Sequence, residues 1–268
     1  MRIGITALGS GSNGNAFVIH SPDGAILVDA GFSRKEILRR MDETGVIPET
    51  ICGVLITHEH DDHVRGCRLL CSELRIPAIV SYRTADYLRK LNKLPDKVME
   101  FSPGSNFVFA GFNISPFAVQ HDAVEPVGFL IRKCGRAIAL ATDLGIINTL
   151  AQQRLFDCDI LVLESNYDRD MLYQSERQLY LKRRIMGRNG HLDNNDACSK
   201  LPELLSPRTA ALFLVHVSSE CNSYELVEQR AAAVLKTLQR DDILLRVVTQ
   251  DNAVETFWLA PSGELLEL

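Results

Sequence analysis

No two cysteines form a Cys-x-x-Cys pair, and the seven present are odd in number and scattered. A disulfide framework is thereby excluded in favour of reduced thiols, which points to the cytoplasm. No apolar run approaches the roughly 18 residues needed to span a bilayer, so no membrane association is expected. The opening segment from Met1 to Ala7 is too short for a signal peptide and reads as a first strand. Linkers, low-complexity tracts and long repeats are missing, so residues 1–268 are expected to form a single domain. A basic excess is missing too: 29 Lys and Arg against 34 Asp and Glu leave a net charge of −5. The Gly-rich run from Gly9 to Gly14 lacks the Gly-Lys-Ser/Thr ending and following helix of a phosphate cradle, and is expected to join two strands near the site. What remains, 46% hydrophobic and 24% charged, is the composition of a globular protein with a sizeable core.

Against that plain background, Thr57-His58-Glu59-His60-Asp61-Asp62-His63 stands out. Three imidazoles and several carboxylates in one short loop are the donor set of zinc and similar divalent ions. The segment is too short for a helical His-Glu-x-x-His arrangement. It follows the apolar run Gly53–Ile56, and on a tight loop leaving a strand alternate residues project together. His58 and His60 can therefore share one ion, while Asp62 and His63, beyond the turn, face a second.

Along the chain, strands are expected over 2–7, 15–19 and 25–28, the last ending at Asp29, which is read as a hydrogen-bonding support for the ligands. Ser33 and Glu36 form a capping-box pattern opening a helix that Gly45 closes. In the helix after the motif, Cys67, Leu70, Cys71 and Leu74 share one face and read as core. A short strand at 78–80 and a helix around 84–91 follow. A β-meander is expected over 107–109, 113–119, 127–132 and 137–141, with His121 and Asp143 just beyond strand ends. Residues 160–163 read as a buried strand ending on Glu164, residues 168–188 as helical, and 195–205 as a helix capped by Asp193 or Asn194. A strand at 211–215 ends on His216, a long helix spans 223–239, and strands near 245–249 and 256–259 close the chain. The two halves share a plan, which places the functional residues on one rim of two packed β/α halves.

Two metal ions of four- or five-fold coordination need about seven protein ligands. The chain supplies His58, His60 and His121 for one, and Asp62, His63 and His216 for the other, with Asp143 as the bridge. Asp61 is left as a helix cap, and His20 has no assigned role.

His-x-His-x-Asp-His followed by His121, Asp143 and His216 at strand ends resembles the metallo-β-lactamase superfamily, which implies an α/β fold, a four-layer αββα sandwich. Glu164, Gly190-His191 and His216-Val217-Ser218 are similar to features of the tRNA 3′-end-processing ribonucleases in that superfamily. The Gly9–Ala16 segment, His121–Gly128, Glu164–Asp168, Lys182–Gly187 and Gly190–Asn194 are closer still to the bacterial WalJ/YycJ family. That resemblance implies a 5′→3′ exonuclease on double-stranded DNA, with Asp193 standing where the family pattern has serine. Two divalent ions, zinc first with manganese or iron also suited to the donors, would hold a bridging hydroxide for in-line attack on a phosphodiester. Asp62 would orient the hydroxide and take its proton, and a His191–Glu164 pair would protonate the leaving oxygen. Arg183, Arg184 and Arg188 are candidate phosphate contacts. A rival reading keeps the fold but hydrolyses a small thioester, lactone or other ester, and a third makes the chain a non-catalytic metal-binding regulator. DNA against RNA, exonuclease against endonuclease, and oligomeric state stay open at this level.

Overall fold

The computed structural model describes residues 2–259. The expected domain of residues 1–268 extends beyond this range at both ends. In chain order the first half runs β1 (Gly4–Gly9), β2 (Ala16–Ser21), β3 (Gly24–Val28), α1 (Arg34–Glu43), β4 (Ile51–Leu55), α2 (Asp61–Val64), α3 (Cys67–Leu74), β5 (Ala78–Ser81), α4 (Tyr82–Lys90) and β6 (Val98–Phe101). The second half runs β7 (Phe107–Phe109), β8 (Phe112–Ala118), β9 (Val127–Lys133), β10 (Arg136–Ala141), α5 (Thr149–Leu155) and β11 (Ile160–Glu164). It continues through α6 (Arg169–Gln174), α7 (Leu179–Ile185), α8 (Asn194–Leu204), β12 (Ala211–Val215), α9 (Tyr224–Thr237), β13 (Leu244–Val247) and β14 (Val254–Trp258).

The strands form two seven-stranded sheets, ordered β14-β1-β2-β3-β4-β5-β6 and β13-β12-β11-β10-β9-β8-β7. Each begins as an antiparallel meander and turns parallel, at β3 in the first sheet and β10 in the second. Parallel pairing requires helical crossovers, and these cover both outer faces. Alternation along the strands sorts the residues. Ile26 and Val28 of β3 join Ile138, Leu140, Ile160 and Val162 in a core between the sheets. Leu27 instead packs outward with Ile37, Leu70 and Leu88 of the first helical layer. Ala139, Leu161 and Leu163 face Leu155, Leu201 and Ala231 of the second. The result is helix, sheet, sheet, helix, as expected. With both faces of the parallel strands buried, their sequences are continuous apolar runs rather than alternating ones.

Local chemistry explains several boundaries. Ser33 accepts the Glu36 amide and starts α1, but only half of the capping box forms, because the Glu36 carboxylate pairs with Arg39 and Arg40. Gly45, at φ +69°, ends α1 with Gly45 N donating to Asp42 O (3.1 Å) and Val46 N to Met41 O (2.8 Å), a Schellman turn. Cys67 and Cys71 are buried with Leu70 in the core under α3, and all seven cysteines are unbridged. Asp193 caps α8 through Asn195 N and Asp196 N.

Residues 168–188, read as helical, hold two short helices: α6 stops at the Ser175 C-cap and α7 starts after Gln178. One expectation is corrected. Asp61 is not a cap. His60 holds the N-cap position of α2 without a side-chain bond, and Asp61 in the first turn pairs with Lys93. Among the described residues, no helix is long and apolar enough to cross a membrane.

Candidate metal centre and its supports

Open α/β sheets place ligand sites outside the carboxyl ends of their parallel strands. Here Asp29 follows β3, the His58–His63 loop follows β4, Asp143 follows β10, Glu164 ends β11 and His216 follows β12. Asp29, Asp143 and His216 have φ of +59°, +48° and +56°. Three non-glycine residues in the left-handed region turn the chain sharply at the same rim, a strain that the surrounding bonds sustain.

Asp29 organises the histidine loop. Its carboxylate accepts Thr57 N (2.9 Å), Thr57 Oγ1 (2.8 Å) and His63 Nδ1 (2.7 Å). Thr57 Oγ1, its proton given to Asp29, is left to accept His58 Nδ1 at 3.0 Å. Across the site, His121 Nδ1 donates to Gly190 O at 3.0 Å. His63, His58 and His121 thus commit Nδ1 to support and turn Nε2 inward. His60 presents Nδ1, which lies 3.0 Å from His58 Nε2 and 3.3 Å from His121 Nε2. A second convergence joins Asp62 Oδ2 to His63 Nε2 and His216 Nε2, each at 3.4 Å. Asp143 lies between the two: Oδ2 is 3.0 Å from His63 Nε2, and Oδ1 is 3.7 Å from His121 Nε2. All seven expected ligands are therefore brought together: His58, His60 and His121 converge, as do Asp62, His63 and His216, while Asp143 converges both with His58 and His63 and with Glu164, His191 and His216.

A cation fits this arrangement on three observations. Ligands about 2.0–2.1 Å from one ion stand roughly 3.0–3.4 Å apart, and of the ligand-atom separations above only that of His121 Nε2 from Asp143 Oδ1, at 3.7 Å, exceeds this range. Asp143 Oδ2 and His216 Nε2 are buried and make no hydrogen bond, in the place where a ligand atom must keep its lone pair free. Lastly, Asp29, Asp62, Asp143 and Glu164 pair only with imidazoles among the described residues, never with Lys or Arg. The local field shows the same excess of negative charge. Burial would lower His63, but the carboxylates of Asp29, Asp62 and Asp143 hold its pKa well above the ordinary value. His216 likewise is pushed up to about 10, burial being outweighed by Asp143, Asp62 and Glu164. Burial dominates at His58 and His121, whose pKa values are lowered, keeping them neutral.

Glu164 is completely buried and does more than its sequence position implied. Oε1 accepts both His191 Nδ1 and His216 Nδ1 at 2.8 Å, while Oε2 accepts Leu144 N (2.9 Å) and Leu192 N (3.0 Å). The expected His191–Glu164 pair is present, and the same carboxylate also orients His216. Burial would lower His191, but the Glu164 charge and hydrogen bond, with Asp143, raise it.

Backbone proximity limits two positions to glycine. A Cβ on Gly31 would stand 1.6 Å from Asp62 O, and one on Gly190 2.1 Å from Ile185 O. These approaches seat the Asp62 turn and the His121 acceptor.

The arginines gather less clearly. Arg184 is exposed and pairs with Asp122, while Arg183 and Arg188 are exposed on and after α7. The end of α7 is nevertheless tied to the site, because His191 N donates to Ile185 O at 2.9 Å. Sequence reasoning missed Asn15 and Asn166. Asn15 Nδ2 lies 3.3 Å from Asp62 Oδ2 and 3.1 Å from His63 Nε2, and its Oδ1 accepts Ser10 Oγ and Gly11 N. Asn166 Nδ2 donates to His216 O at 2.6 Å. A lone asparagine has no periodic signal; only its place after the glycine-rich loop, or after Glu164, could have marked it.

The model of the beta-lactamase superfamily domain matches residues 25–217. The chain belongs to the metallo-β-lactamase superfamily. Within it, the chain is 31% identical over 240 residues to "Exodeoxyribonuclease YycJ" of Bacillus anthracis, covering 88% of this chain and 90% of that protein. It is 32% identical over 225 residues to "Exodeoxyribonuclease WalJ" of Streptococcus pneumoniae, covering 82% and 83%. Among solved structures, the metallo-β-lactamase fold protein YhfI from Bacillus subtilis superposes with a TM-score of 0.72 at 16% identity, covering 95% of this chain and 99% of that one. That last likeness concerns the fold alone. As a member of this superfamily with a complete His/Asp rim, the protein is a metal-dependent hydrolase.

Proposed function

We propose that this hydrolase is a dinuclear phosphodiesterase, acting as a 5′→3′ exonuclease on double-stranded DNA. The observation that carries the reading is the His191–Glu164 pair beside the two ligand groups. His191 stands in neither of these two groups, although it also converges with Asp143, Glu164 and His216; with Nδ1 given to Glu164, its Nε2 would be the proton donor. The names borne by the relatives from B. anthracis and S. pneumoniae, both exodeoxyribonucleases, support DNA as the polymer and attack from an end; the 5′→3′ sense and the duplex are what the resemblance to the WalJ/YycJ family implies.

His58, His60 and His121 would hold one divalent ion, Asp62, His63 and His216 the other, and Asp143 both; the donor set suits zinc, with manganese or iron as alternatives. When bound, such ions supply Lewis acidity toward a phosphoryl oxygen and lower the pKa of water to near neutrality. The chain's own residues do the rest. The Asp62 carboxylate would orient the attacking water and take its proton. His191 Nε2–H, its imidazolium favoured by Glu164, donates to the departing alkoxide, a role worth roughly 10²–10⁴ in rate. Arg183 on α7 and Arg188 beyond it, both exposed, would contact neighbouring phosphates. A small thioester or lactone hydrolase has less need of such an acid.

The test is cleavage of 5′-labelled duplex DNA, single-stranded DNA and a structured RNA, with zinc and with manganese, beside Asp62→Ala and His191→Ala. Metal-dependent release of mononucleotides from duplex 5′ ends, abolished or crippled in both variants, is the expected result. Turnover of a thioester or lactone that tolerates His191→Ala, with no polymer cleaved, overturns the reading.

A further inference from the structure

Beside His60, a cavity of about 540 Å³ is lined by the Glu59–Asp61 part of the histidine loop, by the end of α4 and by Asp122–Val124, and not by His191. Its size is that of small-molecule sites, which span about 300–1,000 Å³. Tyr87 and Leu91 form one wall. They lie four residues apart on α4 and its C-cap, on the opposite side from the buried Thr84, Ala85 and Leu88, and are 43% and 47% exposed. An aromatic ring with an aliphatic neighbour at the edge of a polar centre is unexplained by packing.

The charges around the cavity say what it does not hold. Asp61 is engaged by Lys93, Asp122 by Arg184, and Glu59 Oε1 accepts Val124 N at 2.7 Å, which leaves Glu59 Oε2 buried without a hydrogen-bond partner. Lys93, the one Lys or Arg in the lining, is the partner of Asp61. Among the described residues of the lining no uncommitted Lys or Arg is left for a phosphate, and the unpaired Glu59 oxygen adds negative charge, so the cavity suits the uncharged part of a nucleotide.

Resting on the nuclease reading above, we infer that this cavity receives the nucleobase adjoining the scissile phosphate, stacked on Tyr87 against Leu91. His191 protonates the leaving oxygen, so the leaving nucleotide lies on its side. The cavity, at His60 and away from His191, takes the base of the nucleotide that keeps the phosphate, which in a 5′→3′ exonuclease is the second from the end. Tyr87 is thus a binding residue that fixes register.

A cycle tests this: release of the 5′-terminal nucleotide from duplexes with a normal or an abasic second nucleotide, by metal-loaded wild type and Tyr87→Ala. Stacking on an aromatic side chain is commonly worth about tenfold or more per base. Either change alone should raise KM by about that factor, both together should do no more, and Tyr87→Trp should restore tight binding of the normal duplex only. In complexes with metal-loaded His191→Ala protein, 2-aminopurine at the second position should be quenched, and the quenching should vanish when Tyr87→Ala is added. Multiplying losses, wild-type KM in Tyr87→Ala, or unquenched 2-aminopurine overturns the cavity's role while leaving the nuclease intact. If the wild type cleaves no DNA at all, the nuclease reading itself has failed and this inference falls with it.

Discussion

Glu164→Gln is the most revealing single change, because it keeps size while removing one charge. In the native protein one carboxylate oxygen accepts two imidazole N–H groups and the other accepts the amides of Leu144 and Leu192. A glutamine has one oxygen and one NH₂. Its best placement keeps the oxygen on the Leu144 and Leu192 amides and turns NH₂ to the imidazoles. There His191 can move its proton to Nε2 and accept, but His216, keeping Nε2 free as a ligand, remains a donor facing NH₂. Leaving one buried donor unpaired costs about 1–3 kcal/mol. At roughly 2–4 °C per kcal/mol for a chain of this size class, the midpoint of thermal unfolding should drop by about 2–12 °C. The chemical effect is separate. Glu164 raises the pKa of His191 against burial. Without the charge that pKa falls, so the limb of kcat that requires protonated His191 moves to lower pH. Activity at neutral pH should fall roughly 10²-fold or more. Differential scanning fluorimetry and a pH profile of nucleotide release read the two effects independently. A variant with an unchanged alkaline limb and kcat within twofold of wild type would refute the assignment of His191 as the acid, whatever its melting temperature.

Chelation should lower the melting temperature, since ions bound only by the native state stabilise it by about 2.7 kcal/mol per site at 100-fold excess over Kd; superimposable melts with and without chelator would remove the metal centre. Metal analysis of His58→Ala and His216→Ala should show each losing metal relative to wild type, and full occupancy in either removes that residue from the ligand set. Gly31→Ala should destabilise by about 3 kcal/mol or more, because its Cβ would meet Asp62 O at 1.6 Å, and a soluble variant with wild-type melting contradicts the close approach. His20 lies outside the site, bonded to Thr6 Oγ1 at 2.7 Å, with its pKa lowered by burial to about 4. Its unfolded form binds a proton between about pH 6.5 and 4 while the native form does not, so this contribution is complete above pH 6.5 and lost as pH falls, by roughly 2–3 kcal/mol. Urea denaturation across that range should be measurably flatter for His20→Asn.

The legible parts of the chain are those whose signal is local. Ser33, Gly45 and Asp193 mark helix ends through their own backbone bonds, and continuous apolar runs such as Ile160–Leu163 mark strands buried on both faces. The break between α6 and α7 was not legible, because a charged, aromatic stretch carries no periodicity to show where a short helix stops. Asp61 misled for a related reason: an acid in the first turn of a helix looks like a cap until Lys93, distant in sequence, claims it.

By itself the sequence determined the donor types, their order and their positions at strand ends, because His58, His60, Asp62 and His63 lie within one loop and alternation decides how they divide. It could not decide that Glu164 serves His191 and His216 at once, that Asn15 crosses from the glycine-rich loop to Asp62, or that Tyr87 and Leu91 flank His60. Those relations join residues from separate strands, helices and loops. They exist only when two sheets pack through a shared core and bring the carboxyl ends of β3, β4, β10, β11 and β12 to a common rim.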